Sequence, residues 1–222
     1  MPTKIVAAIL AAGSSSRFGS PKQLAKIGNK SLIDLALDAL ENAGLDRTVV
    51  VLGCNFKVIN DHLNERKNST GTSFNILQNP DWKQGISSSV HVATKFAIAE
   101  SATHLLLLSC DQPFVDATLV QTLANFAKEN SKPPGSNDLA NTTQNSIVAC
   151  KYESSAGIPA IFPAIHFGEL MKITGDKGAK SVILRSAQPI LVDFPNGAQD
   201  IDYPADLDGI TLTDQTMCSE SI

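Results

Sequence analysis

The chain opens with a nearly continuous apolar run, Lys4 to Ala12, that ends in Gly13. An unbroken run of this kind is typical of a strand that is buried on both faces of a parallel sheet. Ser31 then begins a helical pattern whose apolar residues share one face, and the pattern stops at Gly44. The order strand, loop, helix therefore predicts the first unit of an α/β fold.

The same alternation continues along the chain and predicts one domain over residues 1–222. Strand-like runs recur at 48–52, 74–77, 105–108, 147–152, 158–162 and 189–194, with helical patterns at 58–64, 90–97, 117–128, 164–172 and 177–185. Right-handed crossovers between such units produce a doubly wound, mostly parallel sheet. Residues 130–145, rich in Asn, Ser, Thr, Pro and Gly, are predicted to form a mobile surface loop.

Charge and composition exclude several classes of function. The formal net charge is -4 and no dense basic run occurs, which argues against a nucleic-acid partner. No apolar stretch reaches bilayer-spanning length and no signal-type cleavage pattern is found, so we expect a cytoplasmic protein without a membrane partner. The 4 cysteines are scattered, which favours reduced thiols over a disulfide framework or a zinc site.

The loop after the first strand is the first candidate site, because ligands of open α/β sheets bind beyond the carboxyl ends of the strands. Small residues at Ala11, Ala12 and Gly13 let a flat base and its ribose approach the backbone, and the Gly and Ser run can direct N–H groups at phosphates. Arg17 and Lys22 add two cations. The loop has neither the Walker nor the dinucleotide-binding spelling, and the alternative is a plain Gly/Ser connection with two solvated cations.

A carboxylate is predicted at the same edge of the sheet. Asp111 follows the apolar run 105–108 and precedes Pro113. Magnesium is usually held by one or two carboxylates together with substrate phosphates, so Asp111 is a candidate Mg²⁺ ligand. The alternative is a helix cap, but Asp111 lies too far upstream of the helix that begins near Asp116.

Five ordered blocks carry a resemblance to a known family. The loop, Leu-Ala-Ala-Gly-x-x-x-Arg-Phe-Gly-x-Pro-Lys from residue 10 to residue 22, resembles the signature of the MobA-like nucleotidyltransferases, especially the molybdenum cofactor cytidylyltransferases. Similar later blocks follow in the same order: Asn79-Pro80-Asp81-Trp82-x-x-Gly85-x-x-Ser88-Ser89, Cys110-Asp111-Gln112-Pro113, Gly157-x-Pro159-x-x-Phe162 and Gly175-Asp176-Lys177-Gly178-Ala179. The resemblance implies a Rossmann-like nucleotidyltransferase fold and a Mg²⁺-dependent enzyme.

The resemblance also implies roles for individual residues. The turn at 11–13 would hold the base, Arg17 and Lys22 would bind the triphosphate as the catalytic residues, and Asp111 would hold Mg²⁺. Guanylyltransferase relatives tend to have Ala-Gly-Gly at the turn, so Ala11-Ala12-Gly13 favours CTP. The terminal segment 200–206 resembles the family's Asp-x-Pro-x-Asp element, and Asp202 is our candidate for a second metal ligand. A helix cap is the alternative for Asp202.

Two further sets of candidates complete the predicted site. Asn79 and Ser88 are expected to bind nucleotide, although helix capping alone would explain the serine. Gly157, Pro159, Asp176 and Gly178 are candidates for acceptor binding, and the alternative is an ordinary turn and helix start. Tyr152 is followed by Glu153 and Ser154 where family members often carry a glycine two residues after the tyrosine. This departure and the 130–145 insertion leave the acceptor open.

The expected reaction is transfer of CMP from CTP to the phosphate of a molybdopterin-type cofactor, with release of pyrophosphate. A transient contact with a molybdoenzyme or its chaperone would follow from that activity. The alternatives are a cytidylyl- or uridylyltransferase for an isoprenoid alcohol phosphate or sugar phosphate, and a non-catalytic nucleotide-binding module. Joint presence of Arg17, Lys22 and Asp111 argues against the module.

Overall fold

A computed structural model describes residues 3–45, 47–131, 145–152, 155–210 and 212. The strands are β1 (Ile5–Ala11), β2 (Lys26–Ile27), β3 (Lys30–Ser31), β4 (Thr48–Leu52), β5 (Asn75–Gln78), β6 (His104–Ser109), β7 (Val148–Tyr152), β8 (Ser155–Pro163) and β9 (Ile190–Asp193). The α-helices are α1 (Leu32–Asn42), α2 (Phe56–Thr70), α3 (Ile86–Ala99), α4 (Ala117–Glu129), α5 (Phe167–Leu170) and α6 (Lys180–Ile183). Short 3-10 turns connect several of them.

Seven strands form one sheet in the order β5-β4-β1-β6-β8-β7-β9, and β2 pairs with β3 in a separate small hairpin. The pairs β5–β4, β4–β1, β1–β6 and β7–β9 are parallel, whereas β8 runs antiparallel to both β6 and β7. The predicted doubly wound, mostly parallel α/β sheet is confirmed. The carboxyl ends of β1, β4 and β6 meet at one edge, where ligands of such sheets bind.

Both faces of the sheet are covered, as the unbroken apolar run of β1 predicts. Ile5, Ala7 and Ile9 pack with α1, α2 and α4 on one face. The alternate residues Val6, Ala8 and Leu10 pack with α3, α5 and α6 on the other face. A strand that contributes to two cores cannot alternate polar and apolar residues, which accounts for its sequence.

The helix boundaries depart from the sequence patterns at several points. Helix α1 begins where the pattern predicts, and Ser31 caps it, since the Ser31 Oγ accepts the Asp34 N–H at 3.3 Å. Helix α2 is longer than expected because its polar residues continue the helix to Gly71, whose φ of +71° ends it. The patterns at 164–172 and 177–185 yield only short α5 and α6. Nearly all of the predicted 130–145 loop lies outside the described residues.

Among the residues that the structure describes, no helix is long and apolar enough to cross a membrane.

Candidate active site

A cleft of about 350 Å³ opens at the carboxyl ends of β1 and β6. Its walls come from five segments: the turn after β1, the Lys22 turn, the start of α3 with the loop before it, the end of β6, and the turn that contains Asp176. The lining residues are Leu10, Ala11, Ala12, Gly13, Ser14, Lys22, Gln23, Trp82, Lys83, Gly85, Ile86, Ser89, Ser109, Cys110, Asp111 and Asp176. Three predicted groups, the small-residue turn, Lys22 and Asp111, therefore share one cavity.

Lys22 lies at the centre of the charged part of this cleft. Its Nζ is 2.6 Å from Asp111 Oδ2, 3.0 Å from Asp202 Oδ1 and 2.9 Å from the carbonyl oxygen of Ile201. Burial by itself would lower the pKa of Lys22, but the adjacent Asp111 and Asp202 carboxylates outweigh it, and the pKa is raised. The ammonium therefore stays charged at neutral pH and holds two carboxylates from distant parts of the chain.

Arg17 extends the cluster to the rim of the cleft. Its Nη1 is 3.1 Å from Asp202 Oδ2, and its guanidinium lies 6.0 Å from the centre of the Tyr203 ring. The hydrogen bond from Lys22, opposed in part by burial, lowers the pKa of Asp202, and the charges of Lys22 and Arg17 add to the effect. The structure thus brings Arg17, Lys22, Asp111 and Asp202 together, with Arg17 linked to Asp111 only through the other two.

Hydrogen bonds hold the two aspartate segments side by side. The Ser109 hydroxyl donates to Asp111 Oδ1, and the Asp111 carbonyl accepts the Ile201 N–H at 2.9 Å. Gln112 Nε2 donates to the carbonyl oxygens of Ile158 and Gly197 at 3.3 and 3.2 Å. Gln112 belongs to one of the sequence blocks, but the sequence does not indicate its role. In the structure it ties β8 to the turn that precedes Asp202.

The donor set at this edge suits a hard divalent cation. The carboxylates of Asp111 and Asp202 converge on the Lys22 Nζ. In proteins, Mg²⁺ is typically bound by one or two carboxylates, and substrate phosphates complete its coordination shell. No cluster of three or more His, Cys, Asp or Glu side chains arranged for a metal occurs in the described ranges. Burial, followed by the charge of Asp111, raises the pKa of nearby Asp200 to about 6. Asp111 and Asp202 are therefore the residues that fit magnesium, and the fit needs nucleotide phosphates.

Gln23 is a site residue that the sequence reasoning missed. Its side chain is buried, and its Nε2 donates to the carbonyl oxygens of Ala11 at 2.9 Å and Gly13 at 3.1 Å. Its Oε1 accepts the Ser15 hydroxyl at 3.2 Å. The available signal was an uncharged polar residue directly after the predicted phosphate-binding lysine, in a short turn that buries it.

Asn79 and Ser88 lie beneath the cleft. Asn79 is 1% exposed, and its Nδ2 donates to Ser88 Oγ and Ser89 Oγ at 2.8 and 3.0 Å. The Ser88 hydroxyl donates to the Gly85 carbonyl at 2.8 Å. The alternative, that serines cap α3, is wrong, because the helix already begins at Ile86 and the serines at 87–89 lie within its first turn. Of these polar side chains, Ser89 is the one that lines the cleft.

The four acceptor candidates occupy different places. Asp176 lines the cleft, and Gly178 packs near Ile86. Gly157 and Pro159 are buried in β8, where a Cβ on Gly157 would lie 2.0 Å from the Tyr152 hydroxyl oxygen. Of the four, only Asp176 faces the cavity described above.

The sequence of the chain is similar to a family of known proteins and to several curated proteins. Residues 7–190 match the MobA-like NTP transferase domain. Nicotine blue oxidoreductase of Paenarthrobacter nicotinovorans is 29% identical over 120 residues, which are 54% of this chain and 55% of that protein. The chain spans about half the length of that curated relative and a smaller share of two others that it matches.

Solved structures share the fold over almost the whole chain. Rv0371c from Mycobacterium tuberculosis H37Rv superposes with a TM-score of 0.67 at 25% identity, covering 92% of this chain and 96% of that one. The same protein is known in complex with manganese, with 24% identity and a TM-score of 0.65, covering 94% of this chain and 100% of that one. Molybdopterin-guanine dinucleotide biosynthesis protein A from Archaeoglobus fulgidus has a TM-score of 0.58 at 18% identity, covering 90% and 94%.

The domain match covers most of the chain, including the turn after β1, Lys22 and Asp111. The fold agrees with that of Rv0371c over almost the whole chain. The chain therefore belongs to the MobA-like NTP transferase family.

Proposed function

We propose that this nucleotidyltransferase transfers CMP from CTP to the phosphate of a molybdopterin-type cofactor and releases pyrophosphate, with Mg²⁺ as cofactor. One observation supports the proposal above all. Lys22 joins Asp111 and Asp202 at the mouth of a cleft that is floored by Ala11 and Gly13. A small-residue floor suits a base and ribose, and the charged mouth suits the triphosphate and its cation.

The chemistry assigned to these residues requires no protein nucleophile. An acceptor phosphate oxygen attacks the α-phosphorus in line, the bond from that phosphorus to the bridging oxygen breaks, and pyrophosphate leaves on the opposite side. Lys22 and Arg17 hold the phosphates in line and neutralise charge on the transferring and leaving groups. Magnesium, held by Asp111 and Asp202, would supply further charge neutralisation of the phosphate oxygens.

The position of Lys22 implies that it changes partners during the reaction. Its ammonium bonds to the same carboxylates that would hold the metal ion, so the two cations compete for these oxygens. The triphosphate oxygens of a bound nucleotide would give the ammonium new partners, and Asp111 and Asp202 would then be free to hold Mg²⁺. We infer that Lys22 turns from the carboxylates onto the phosphates at that point, since its four-carbon stem is flexible.

The choice of CTP, of the acceptor and of the metal ion is supported by the sequence blocks and by solved structures with a similar fold. Ala11-Ala12-Gly13 favours cytidine, and the blocks at 79–89 and 175–179 favour a molybdopterin acceptor over an isoprenoid alcohol phosphate or a sugar phosphate. The molybdopterin-guanine dinucleotide protein of Archaeoglobus fulgidus has the same fold, and the manganese complex of Rv0371C is consistent with a divalent cation. These features support the proposal.

Pyrophosphate release tests it directly. Purified protein with Mg²⁺ is supplied with CTP, GTP, ATP or UTP and with molybdenum-bearing pterin, an isoprenoid alcohol phosphate or a sugar phosphate as acceptor. The proposal predicts release with CTP and the pterin, and none without acceptor. Release only with another acceptor would replace the substrate assignment. Nucleotide binding without release from any acceptor would indicate the non-catalytic module.

A further inference from the structure

We propose that Gln23 is a positioning residue that makes the nucleotide turn select cytosine against guanine. The inference rests on the proposed function, because it assumes that the base lies against the turn after β1. It adds a residue and a physical reason for the choice of base. The hydrogen bonding of the turn's backbone supports this role.

All three carbonyl oxygens of the turn already have protein partners. Gln23 Nε2 donates to those of Ala11 and Gly13, and the backbone N–H of Cys54 donates to that of Ala12 at 3.0 Å. The Gln23 amide cannot be reversed without placing its oxygen against two carbonyl oxygens, and its own oxygen already faces the Ser15 hydroxyl. The orientation of the side chain is therefore fixed.

Two N–H groups of the same turn, in contrast to its carbonyl oxygens, have no hydrogen-bond partner within the described part of the chain. They are the backbone N–H groups of Gly13 and Ser14. Both residues are exposed, and both line the cleft. At Gly13 and Ser14 the backbone thus presents two N–H donors to a ligand, whereas the carbonyl oxygens of residues 11–13 are engaged within the protein.

Such a turn distinguishes bases by their polar edges. Cytosine carries two adjacent acceptors, N3 and O2, whereas guanine carries two adjacent donors, the N1–H and the 2-amino group. Donors of the turn complement the cytosine acceptors. Against the same turn, guanine would leave its two donors without acceptors on desolvation, and an unpaired buried donor is penalised more than a formed hydrogen bond is rewarded.

Of the groups that hold the turn's carbonyl oxygens, only the Gln23 side chain can be removed by a substitution, since the donor from Cys54 is a backbone N–H. The Gln23 side chain is 1% exposed, and both hydrogen bonds donated by its Nε2 go to carbonyl oxygens of the turn, so its proposed effect on the base passes through these carbonyls. Losing its N–H groups would free two carbonyl oxygens to accept hydrogen bonds. A turn with free carbonyls would accept guanine donors.

The test compares the ratio of CTP to GTP affinity in variants, measured by calorimetry with Mg²⁺. Gln23→Met keeps the length of the side chain without its N–H groups, and Gln23→Asn is too short to reach both carbonyls. We expect the ratio to fall by about tenfold in Gln23→Met, the equivalent of one neutral hydrogen bond. Steady-state kinetics with CTP should show a larger change in KM than in kcat. Gln23→Asn should lower the ratio in the same direction.

A buried threonine provides the matched control. Thr94 is fully buried in α3, away from the residues that line the cleft, and its Oγ1 donates to the Val90 carbonyl at 2.8 Å. Thr94→Val removes a buried hydrogen bond without touching the turn, so it should leave the ratio unchanged. Folded Gln23 variants that keep the wild-type ratio, or a Thr94→Val protein that loses it equally, would overturn the inference.

A second measurement needs only the wild-type protein. ITP lacks the 2-amino group of GTP, so it presents one donor fewer to the turn and should bind several-fold more tightly than GTP. Equal affinity for ITP and GTP would contradict the inference. If the wild type binds no CTP, the proposed function itself fails; if it prefers CTP but the predicted differences are absent, only the role of Gln23 fails.

Discussion

Lys22 is surrounded by oxygen atoms from three residues, and two of these residues are the carboxylates that suit a metal ion. The raised pKa keeps its ammonium charged. The same cation therefore holds the nucleotide-free site together and, in the proposed reaction, neutralises the triphosphate. Removing the Lys22 side chain should therefore weaken the stabilisation of the triphosphate but free the two carboxylates to bind a metal ion.

Lys22→Ala is expected to lower the rate of pyrophosphate release by about 10²- to 10³-fold, because a fixed positive group at the transferring phosphates is lost. The same variant should bind Mn²⁺ more tightly than wild type in the absence of nucleotide, since Asp111 and Asp202 lose their competing cation. Steady-state kinetics and Mn²⁺ titration by electron paramagnetic resonance measure the two effects.

Lys57→Ala is the matched control for the Lys22 prediction. Lys57 forms an exposed ion pair with Asp61 on α2, away from the cleft. Its removal should change neither the rate nor Mn²⁺ binding. Near-normal turnover in Lys22→Ala, or weaker Mn²⁺ binding than wild type, would show that the ammonium does not have the place assigned to it.

Helix α2 docks on α1 through an unusual amount of charge. Only Ile59 and Leu63 of α2 are buried, whereas Arg66 is nearly buried among carboxylates. Its Nη2 is 2.7 Å from Asp38 Oδ1 and 2.7 Å from Glu41 Oε2, and its Nη1 is 3.5 Å from Asp34 Oδ1. Burial would lower the pKa of Arg66, but the partners, Asp38 first among them, raise it.

Removing Arg66 would leave three carboxylates close together without their shared cation. We expect Arg66→Ala to lower the free energy of unfolding by about 3 kcal/mol, since breaking a buried ion pair leaves uncompensated charge. Urea denaturation measures the change, with Lys57→Ala on the same helix as the control that leaves stability unaltered. Equal midpoints for the two variants would contradict this account of how α2 is held.

Sequence patterns located the elements of the sheet better than those of the site. Parallel strands that are buried on both faces have apolar runs, so β1, β4 and β6 could be placed within one or two residues. The short α5 and α6 could not, because apolar spacing does not show where a 3-10 turn or a loop replaces helix.

Within the site, the charged residues were predictable and the uncharged polar ones were not. Lys22 is a charge in the loop after the buried strand β1, and Asp111 is a charge directly after the buried strand β6. Gln23 and Gln112 act by holding carbonyl oxygens that are distant in sequence or hidden in a turn, as Gln112 does with Ile158 and Gly197. Such contacts depend on the folded backbone and leave no periodic pattern in the chain.

At the scale of the whole molecule, one buried histidine makes stability depend on pH. His104 begins β6 beside the centre of the sheet, and burial lowers its pKa to about 4 from an ordinary value of 6.5. Its Nδ1 is 2.9 Å from Thr103 Oγ1 and its Nε2 is 3.2 Å from Ser131 Oγ, so the neutral ring is hydrogen-bonded on both sides. Protonation would place a charge in this environment.

We expect His104 to reduce stability as the pH falls from 6.5 to 4. In this interval the unfolded chain binds the proton and the folded chain does not, so stability that is fully present above pH 6.5 is lost, by about 3 kcal/mol at most. His104→Gln should remove this component from urea denaturation curves recorded at pH 7 and pH 4.5. The assignment is wrong if the variant loses as much stability over the interval as wild type.

In the proposed reaction, Asp111 and Asp202 hold a divalent cation against the nucleotide phosphates that Lys22 and Arg17 also bind. Calorimetric titration of CTP with and without Mg²⁺ tests it most directly in wild type, in Asp111→Asn and in Asp193→Asn, whose carboxylate is exposed on the edge strand β9. Wild type and Asp193→Asn should bind CTP at least tenfold more tightly with Mg²⁺, and Asp111→Asn should lose most of that gain. An undiminished Mg²⁺ dependence in Asp111→Asn would contradict the account.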